Sequence, residues 1–239
     1  METLTETINN SKAQNEKKLA LLQAKLDKKW EEVIQNSRMI QHILDGKVDE
    51  KLWIMYMMET YHYTYHNARN QALVGVVSKD LPVRYMKFCF EHAEEETGHE
   101  LMALLDIRAM GTPIEIEDIP APLVDTEVLI SYLYWVSSQG NPLQRLGYSF
   151  WAENCYSYIN PIIENVKEKL SLTDNQLTFF IAHSNIDEEH AKEVQDMIIK
   201  HAKTDDDWEK IERVMLTSLS LQKNVLDGVF DAYLASIQN

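Results

Sequence analysis

Apolar residues recur at helical spacing through most of the chain. Between residues 13 and 36, Leu19, Leu22, Leu26, Trp30 and Val33 stand among Lys, Glu and Asp, which predicts a long amphipathic surface helix. A shorter piece, residues 39–46, follows it. From Val48 to about Val77 the apolar positions, including Trp53, Ile54, Met57, Met58, Tyr61 and Ala68, fill more than one stripe, as in a largely buried helix. Asp80 can cap a third helix with Pro82 in its first turn, and Gly111 offers a stop, so residues 80–110 are predicted as one element. The stretch GTPIEIEDIPAP after it reads as a loop.

Asp125 opens a helix to about Ser138, and Asn141-Pro142 opens another that runs through LGYSFWAENCYSYI until Pro161 kinks or ends it. Thr173 and Thr204 cap the last two helices, the second with three Asp residues favourably placed at its N-terminus. No low-complexity segment and no fixed-period repeat interrupts this pattern. The expectation is an all-α protein of about seven helices, folded as a single domain over residues 1–239.

Composition narrows the partners. Seven glycines and six prolines are few for 239 residues and agree with a helical chain. A formal net charge of −15, with no basic cluster to offset it locally, repels phosphate backbones and anionic lipid, so neither nucleic acid nor a membrane is expected as partner. Cys89 and Cys155 lie in apolar helical stretches and read as reduced, buried thiols. The N-terminal stretch has no apolar signal region, and no run long enough to span a bilayer occurs, so a cytoplasmic location is expected.

Candidate chemistry begins in FIAHSNIDEEHAKEV. Offsets of four and seven put His183, Asp187 and His190 at about 0°, 40° and −20° around a helix axis, on one face. One helix cannot fill the coordination sphere of iron or manganese, so further ligands must come from facing helices. In METYHYTYHNA, Glu59 and His66 lie seven apart among core-type residues, and Glu153 stands among aromatic and small residues in YSFWAENCYSYI. A buried carboxylate is costly unless it is paired or bound to a cation. Glu59, His66, Glu153, His183, Asp187 and His190 then make three carboxylates and three imidazoles from three helices, an inventory that suits two iron ions.

A rival set exists. HAEEETGH repeats the spacing of HSNIDEEH, and Glu96 with His99 forms a Glu-x2-His pair. With Glu59, Glu153, Asp187 and His190, that pair reproduces the ligand order of ferritin-like carboxylate proteins. The first set is preferred because it uses both His66 and His183, and His62 is a weaker substitute for His66, about 60° from Glu59 around the helix.

Over residues 48–200 the chain resembles the haem-oxygenase-like diiron oxidases, whose helical fold is shared by thiaminase-type and pyrroloquinoline-quinone-synthase-type proteins. The family pattern is Glu-x6-His, then Glu, then His-x3-Asp-x2-His, and it falls on the six residues of the first set. The resemblance implies a non-haem enzyme with two Fe ions that uses O2 as co-substrate. It further implies oxidation of an amino-acid-type small molecule, with nitrile formation from a tryptophan-type amino acid as the preferred case, and a homodimer as the default assembly. Two other classes remain open: an iron store of ferritin type, and a cofactorless thiaminase-type hydrolase for which Cys155 is the candidate nucleophile.

Overall fold

The computed structural model describes residues 4–238, with the side chains of residues 13–184 and 189–238. These residues form ten α-helices, and no strand occurs among them. In chain order they are α1 (Leu4–Asn36), α2 (Arg38–Leu44), α3 (Glu50–Val77), α4 (Val83–Glu95), α5 (Glu100–Ala109), α6 (Val124–Ser138), α7 (Leu146–Ala152), α8 (Tyr156–Leu170), α9 (Thr178–His201) and α10 (Asp205–Ile237). Among the described residues, no helix is long and apolar enough to cross a membrane.

The predicted stripes become the core. Leu22, Leu26, Trp30 and Val33 of α1 are all buried, and they join one continuous apolar cluster that runs through the helices. Helix α3 packs against α4, α5, α6 and α10, which explains why its apolar residues occupy several faces. It also buries a polar seam that includes Glu59, Thr64, Asn67, Asn70 and Gln71. Helix α7 lies against α10 so closely that a Cβ on Gly147 would sit 2.1 Å from the Ile211 carbonyl oxygen, so only glycine permits the approach.

Ten helices replace the expected seven partly because two predicted elements are broken. The element expected at 80–110 divides into α4 and α5 at Glu96 to His99, where Gly98 takes a left-handed φ of 98°. The element expected to end at Pro161 is interrupted eight residues earlier, at Glu153, and α8 continues through the proline.

The start of α9 also differs from expectation. Thr173 caps only a 3-10 turn at Asp174–Gln176. Helix α9 begins at Thr178, and its cap is Asp106 of α5, wholly buried and distant in sequence. One Asp106 oxygen accepts from the Thr178 amide (2.9 Å) and hydroxyl (2.5 Å), and the other accepts from the Phe179 amide (3.0 Å).

Candidate metal centre

The two helix breaks and α9 converge. Helix α4 ends with His92 and Glu96, the Gly98 turn delivers His99, the end of α7 presents Glu153, and α9 supplies His183 and His190. One donor atom from each of Glu96, His99 and His183 lies within 4.8 Å of the others, and the same holds for His92, Glu96 and Glu153. Glu96 belongs to both triads. His190 joins through Glu153, with Nδ1 3.6 Å from Oε2, while His92 Nε2 lies 3.4 Å from the other oxygen of Glu153.

Both carboxylates are buried, Glu96 at 4% exposure and Glu153 at 8%. Burial pushes Glu153 upward, but hydrogen bonding by the His190 and His92 imidazoles outweighs it and holds the carboxyl at about 2. Burial likewise opposes ionisation of Glu96, and His99 reverses the balance, so its carboxyl also falls below the ordinary range. The reciprocal effect raises His190 to about 9 through Glu153, and raises His99 through Glu96. The protonated His190 imidazole thus supplies the cation that buried Glu153 requires, and His99 compensates Glu96 in the same direction.

His183 behaves differently. Burial lowers its pKa, so it is neutral. Its Nδ1 lies 2.6 Å from the Phe179 carbonyl oxygen and must donate there, which leaves Nε2 with its lone pair 3.0 Å from His99 Nδ1. A histidine fixed in this tautomer by a backbone carbonyl is prepared to bind a metal through the other nitrogen. Among buried atoms, His92 Nδ1 has no hydrogen-bond partner.

A second layer fixes Glu96. The Asn67 amide of α3 donates to Oε2 at 2.9 Å, and the Asn67 oxygen accepts from Arg145 Nη2 at 2.8 Å. Arg145 is completely buried. It also donates to Asn70 (2.6 Å) and Ser149 (2.8 Å), and its guanidinium lies 4.4 Å from the centre of the Tyr148 ring. Burial lowers its pKa from the usual value. Among the described residues no carboxylate forms an ion pair with it; Asn67 links it to Glu96, and Glu153 acts on its charge at longer range.

Beside the cluster lies a cavity of about 140 Å³. Glu96, Glu153 and His183 form its polar side, and aromatic residues such as Trp53, Tyr148 and Phe180 form much of the rest. No Lys or Arg is among the described residues that line it.

Three of the six residues expected as ligands, Glu153, His183 and His190, are in this assembly. Asp187 lies outside the residues whose side chains are described. Glu59 and His66 are in neither triad. Glu59 is buried, but its Oε2 accepts from the amide of Leu123, the N-cap of α6, at 3.0 Å. A helix N-terminus stabilises a buried carboxylate without any metal. His66 Nδ1 meets the Tyr134 hydroxyl at 3.0 Å, and His62 Nε2 meets the Pro120 carbonyl at 2.8 Å. The face of α3 toward the centre carries Asn67 instead. Glu96 and His99, the rival pair, take the central positions, and His92 is an addition; the signal for it was the repeated His-x3-acid-x2-His spacing in HAEEETGH.

Comparison with known proteins agrees with this architecture. The family described as iron-containing redox enzymes, of haem-oxygenase type, matches residues 54–222. A domain of unknown function with a haem oxygenase-like fold from Shewanella denitrificans OS217 is 50% identical over 90% of this chain and 93% of its own, with a TM-score of 0.88. A TenA homologue from P. horikoshii OT3 is 13% identical over 90% of this chain and 98% of its own (TM-score 0.68). A TenA homologue from Pseudomonas syringae pv. tomato is 11% identical over 89% and 92% (TM-score 0.72), so these two share the fold alone. No protein of curated function matches. An all-helical fold with a buried carboxylate-imidazole centre defines the class, and the chain belongs to the haem-oxygenase-like family of iron-containing redox enzymes.

Proposed function

We propose that this protein is an O2-dependent non-haem oxidase holding two iron ions, bound through Glu96, His99, Glu153, His183 and His190, with His92 and Asp187 completing the set. The observation that supports two ions is that Glu96 belongs to both triads, so that one carboxylate would serve two groups of donors. When bound, two Fe(II) ions supply two electrons for the reduction of O2.

The chain's own residues have definite tasks around that chemistry. Asn67 ties one oxygen of Glu96 and, with Arg145 behind it, fixes the carboxylate plane. Phe179 holds His183 in the tautomer whose Nε2 is available. His190 holds a proton against Glu153 that it would give up on binding metal, and His99 is held toward the protonated form by Glu96 in the same way. The aromatic wall keeps water from the reacting face.

The substrate is a small, largely apolar molecule. An amino-acid-type substrate, including a tryptophan-type one converted to a nitrile, would bring an α-carboxylate into a cavity whose described lining has no Lys or Arg. Among the described lining residues, the positive charge to balance it would have to come from a protonated imidazole or from bound metal.

Anaerobic titration with Fe(II) tests the reading. About two ions per chain should bind, and Glu96→Ala should abolish at least one site while His66→Ala leaves both. Unchanged binding by Glu96→Ala would overturn the ligand assignment. Many ions per assembled shell would instead indicate an iron store.

A further inference from the structure

Arg145 has no exposed surface, and the side chains that accept its hydrogen bonds, Asn67, Asn70 and Ser149, are all neutral. These bonds and the face of Tyr148 at 4.4 Å solvate the guanidinium without cancelling its charge. Taking a cation out of water is costly unless a counter-charge lies close. Three weak acids act on it, Tyr85, Cys89 and Tyr148, but burial raises the pKa of each, so all three stay protonated. Its negative neighbours belong to the metal centre instead. Glu153 acts on it through space, and Glu96 is joined to it by the single amide of Asn67, at 2.8 Å on one side and 2.9 Å on the other.

Fixing the Asn67 amide requires a donor, not a charge, so geometry alone does not account for a guanidinium at this position. A guanidinium also keeps its proton even where burial works against it, so the charge is permanent. Its effect has a definite sign. Glu96 and Glu153 attract cations, Arg145 repels them, and Coulomb repulsion grows with the charge of the ion. A trivalent ion is therefore disfavoured more than a divalent one.

We propose that Arg145 is a redox-tuning residue: its buried charge, without a counter-ion of its own, raises the reduction potential of iron held at Glu96 and Glu153 and so favours the Fe(II) state. This deepens the function proposed above and rests on its reading of the centre as an iron site. Arg145 is a positioning residue through Asn67 and a tuning residue through its charge.

Asn70→Asp separates these two roles. Asn70 is fully buried; its oxygen accepts from Arg145 Nε at 2.6 Å, and its amide donates to the His66 carbonyl oxygen at 2.7 Å. The aspartate keeps the shape and the acceptor, gives the guanidinium a carboxylate partner, and leaves the Asn67 link in place. In spectroelectrochemical titration of the iron-loaded full chain at fixed pH, its midpoint should lie about 59 mV below the wild type, a shift of about 10-fold toward Fe(III) for a one-electron couple. Arg145→Gln should also lower the midpoint, and Arg145→Lys, which keeps the charge, should stay closer to the wild type. A purely structural Arg145 predicts another order, with Asn70→Asp like the wild type and the Gln and Lys variants alike. Equal potentials for Asn70→Asp and wild type, or a Gln variant no lower than the Lys variant, would overturn the inference; each comparison decides alone if a variant of the other does not fold. Zn(II) titration repeats the test without iron: Asn70→Asp should bind several-fold tighter than the wild type, and equal affinity would refute the charge argument. Unchanged potentials with about two irons bound would therefore sink this inference alone, failure of iron to bind while Zn(II) tightens would sink the iron reading alone, and failure of both metals to bind would sink both.

Discussion

Asp106 lies outside the metal centre, yet it determines whether α9 starts where the centre needs it. Its carboxylate satisfies the amides of Thr178 and Phe179 and the Thr178 hydroxyl, all within 3.0 Å. Asp106→Ala removes a helix cap, which costs about 1–2 kcal/mol. It also strands a second buried donor, for about 1–3 kcal/mol more. Burial works against this gain, pushing the Asp106 carboxyl above its usual range despite its three donors, so part of the loss is recovered. The expected net destabilisation is about 3 kcal/mol for Ala and about 1 kcal/mol for Asn, which keeps one acceptor and carries no charge to bury. Urea unfolding at constant m-value reads these numbers. Because α9 carries His183 and His190, iron affinity should fall about 10-fold in the alanine variant, the effect expected of a lost supporting contact. Asp174→Ala is the control, since Asp174 is exposed and its ion pair among the described residues is with Lys167; it should change stability by less than about 0.5 kcal/mol. If Asp106→Ala cost less than about 1 kcal/mol, or if Asn were as damaging as Ala, the capping argument would be refuted.

Four further outcomes are expected. Gly147→Ala forces a Cβ to 2.1 Å from the Ile211 carbonyl oxygen and should lower stability by more than about 3 kcal/mol, visible as insoluble protein or a collapsed melting temperature. Gly98→Ala meets no clash but must adopt a φ of 98°; a cost of about 1–2 kcal/mol should appear in thermal melts, with weaker iron binding as the turn carrying His99 shifts. Asn67→Leu should weaken iron binding about 10-fold with a much smaller change in the melting temperature. In chelated protein, His190 is raised from 6.5 to about 9, so its contribution is complete below pH 6.5 and disappears as pH rises through 9. Glu153 is lowered from 4.5 to about 2, so its contribution is complete above pH 4.5 and disappears toward pH 2. The urea midpoint should therefore decline on both sides of the window from pH 4.5 to 6.5, and a flat profile from pH 6.5 to 9 would contradict the pairing.

Helix identity was legible in the chain because it depends on local periodicity: the stripe of Leu22, Leu26, Trp30 and Val33 and the apolar breadth of α3 both translate directly into burial. The row of His183 and His190 was legible for the same reason, since it needs only the geometry of one helix. Glu96 and His99 were harder to choose. Their claim depends on a break at Gly98, and the charged run around them reads as a solvated face when treated as continuous helix. Glu59 looked like a ligand because a carboxylate among apolar residues needs compensation. Nothing local reveals that the compensation comes from the N-terminus of α6, 64 positions away. Arg145 was invisible for a related reason: its partners Asn67, Asn70 and Ser149 are neutral, so no pattern of opposite charge marks it.

Burial of an acid is therefore not by itself a sign of metal binding in this fold; what matters is the kind of donor that faces it. Four carboxylates are buried among the described residues, Glu59, Glu96, Asp106 and Glu153. Glu59 and Asp106 accept from backbone amides at helix starts, donors that the fold holds in place and that cannot be withdrawn. Glu96 and Glu153 face imidazoles, whose protons can leave when another cation arrives. Both of the latter sit at helix interruptions, where the side chain can leave the helical stripe and meet groups from other helices. Neutral isosteres separate the two kinds: Glu59→Gln, which retains an acceptor for Leu123, should bind iron like the wild type. Glu96→Gln should lose it, and equal iron binding by the two variants would mean that the facing donors do not distinguish a cap from a ligand.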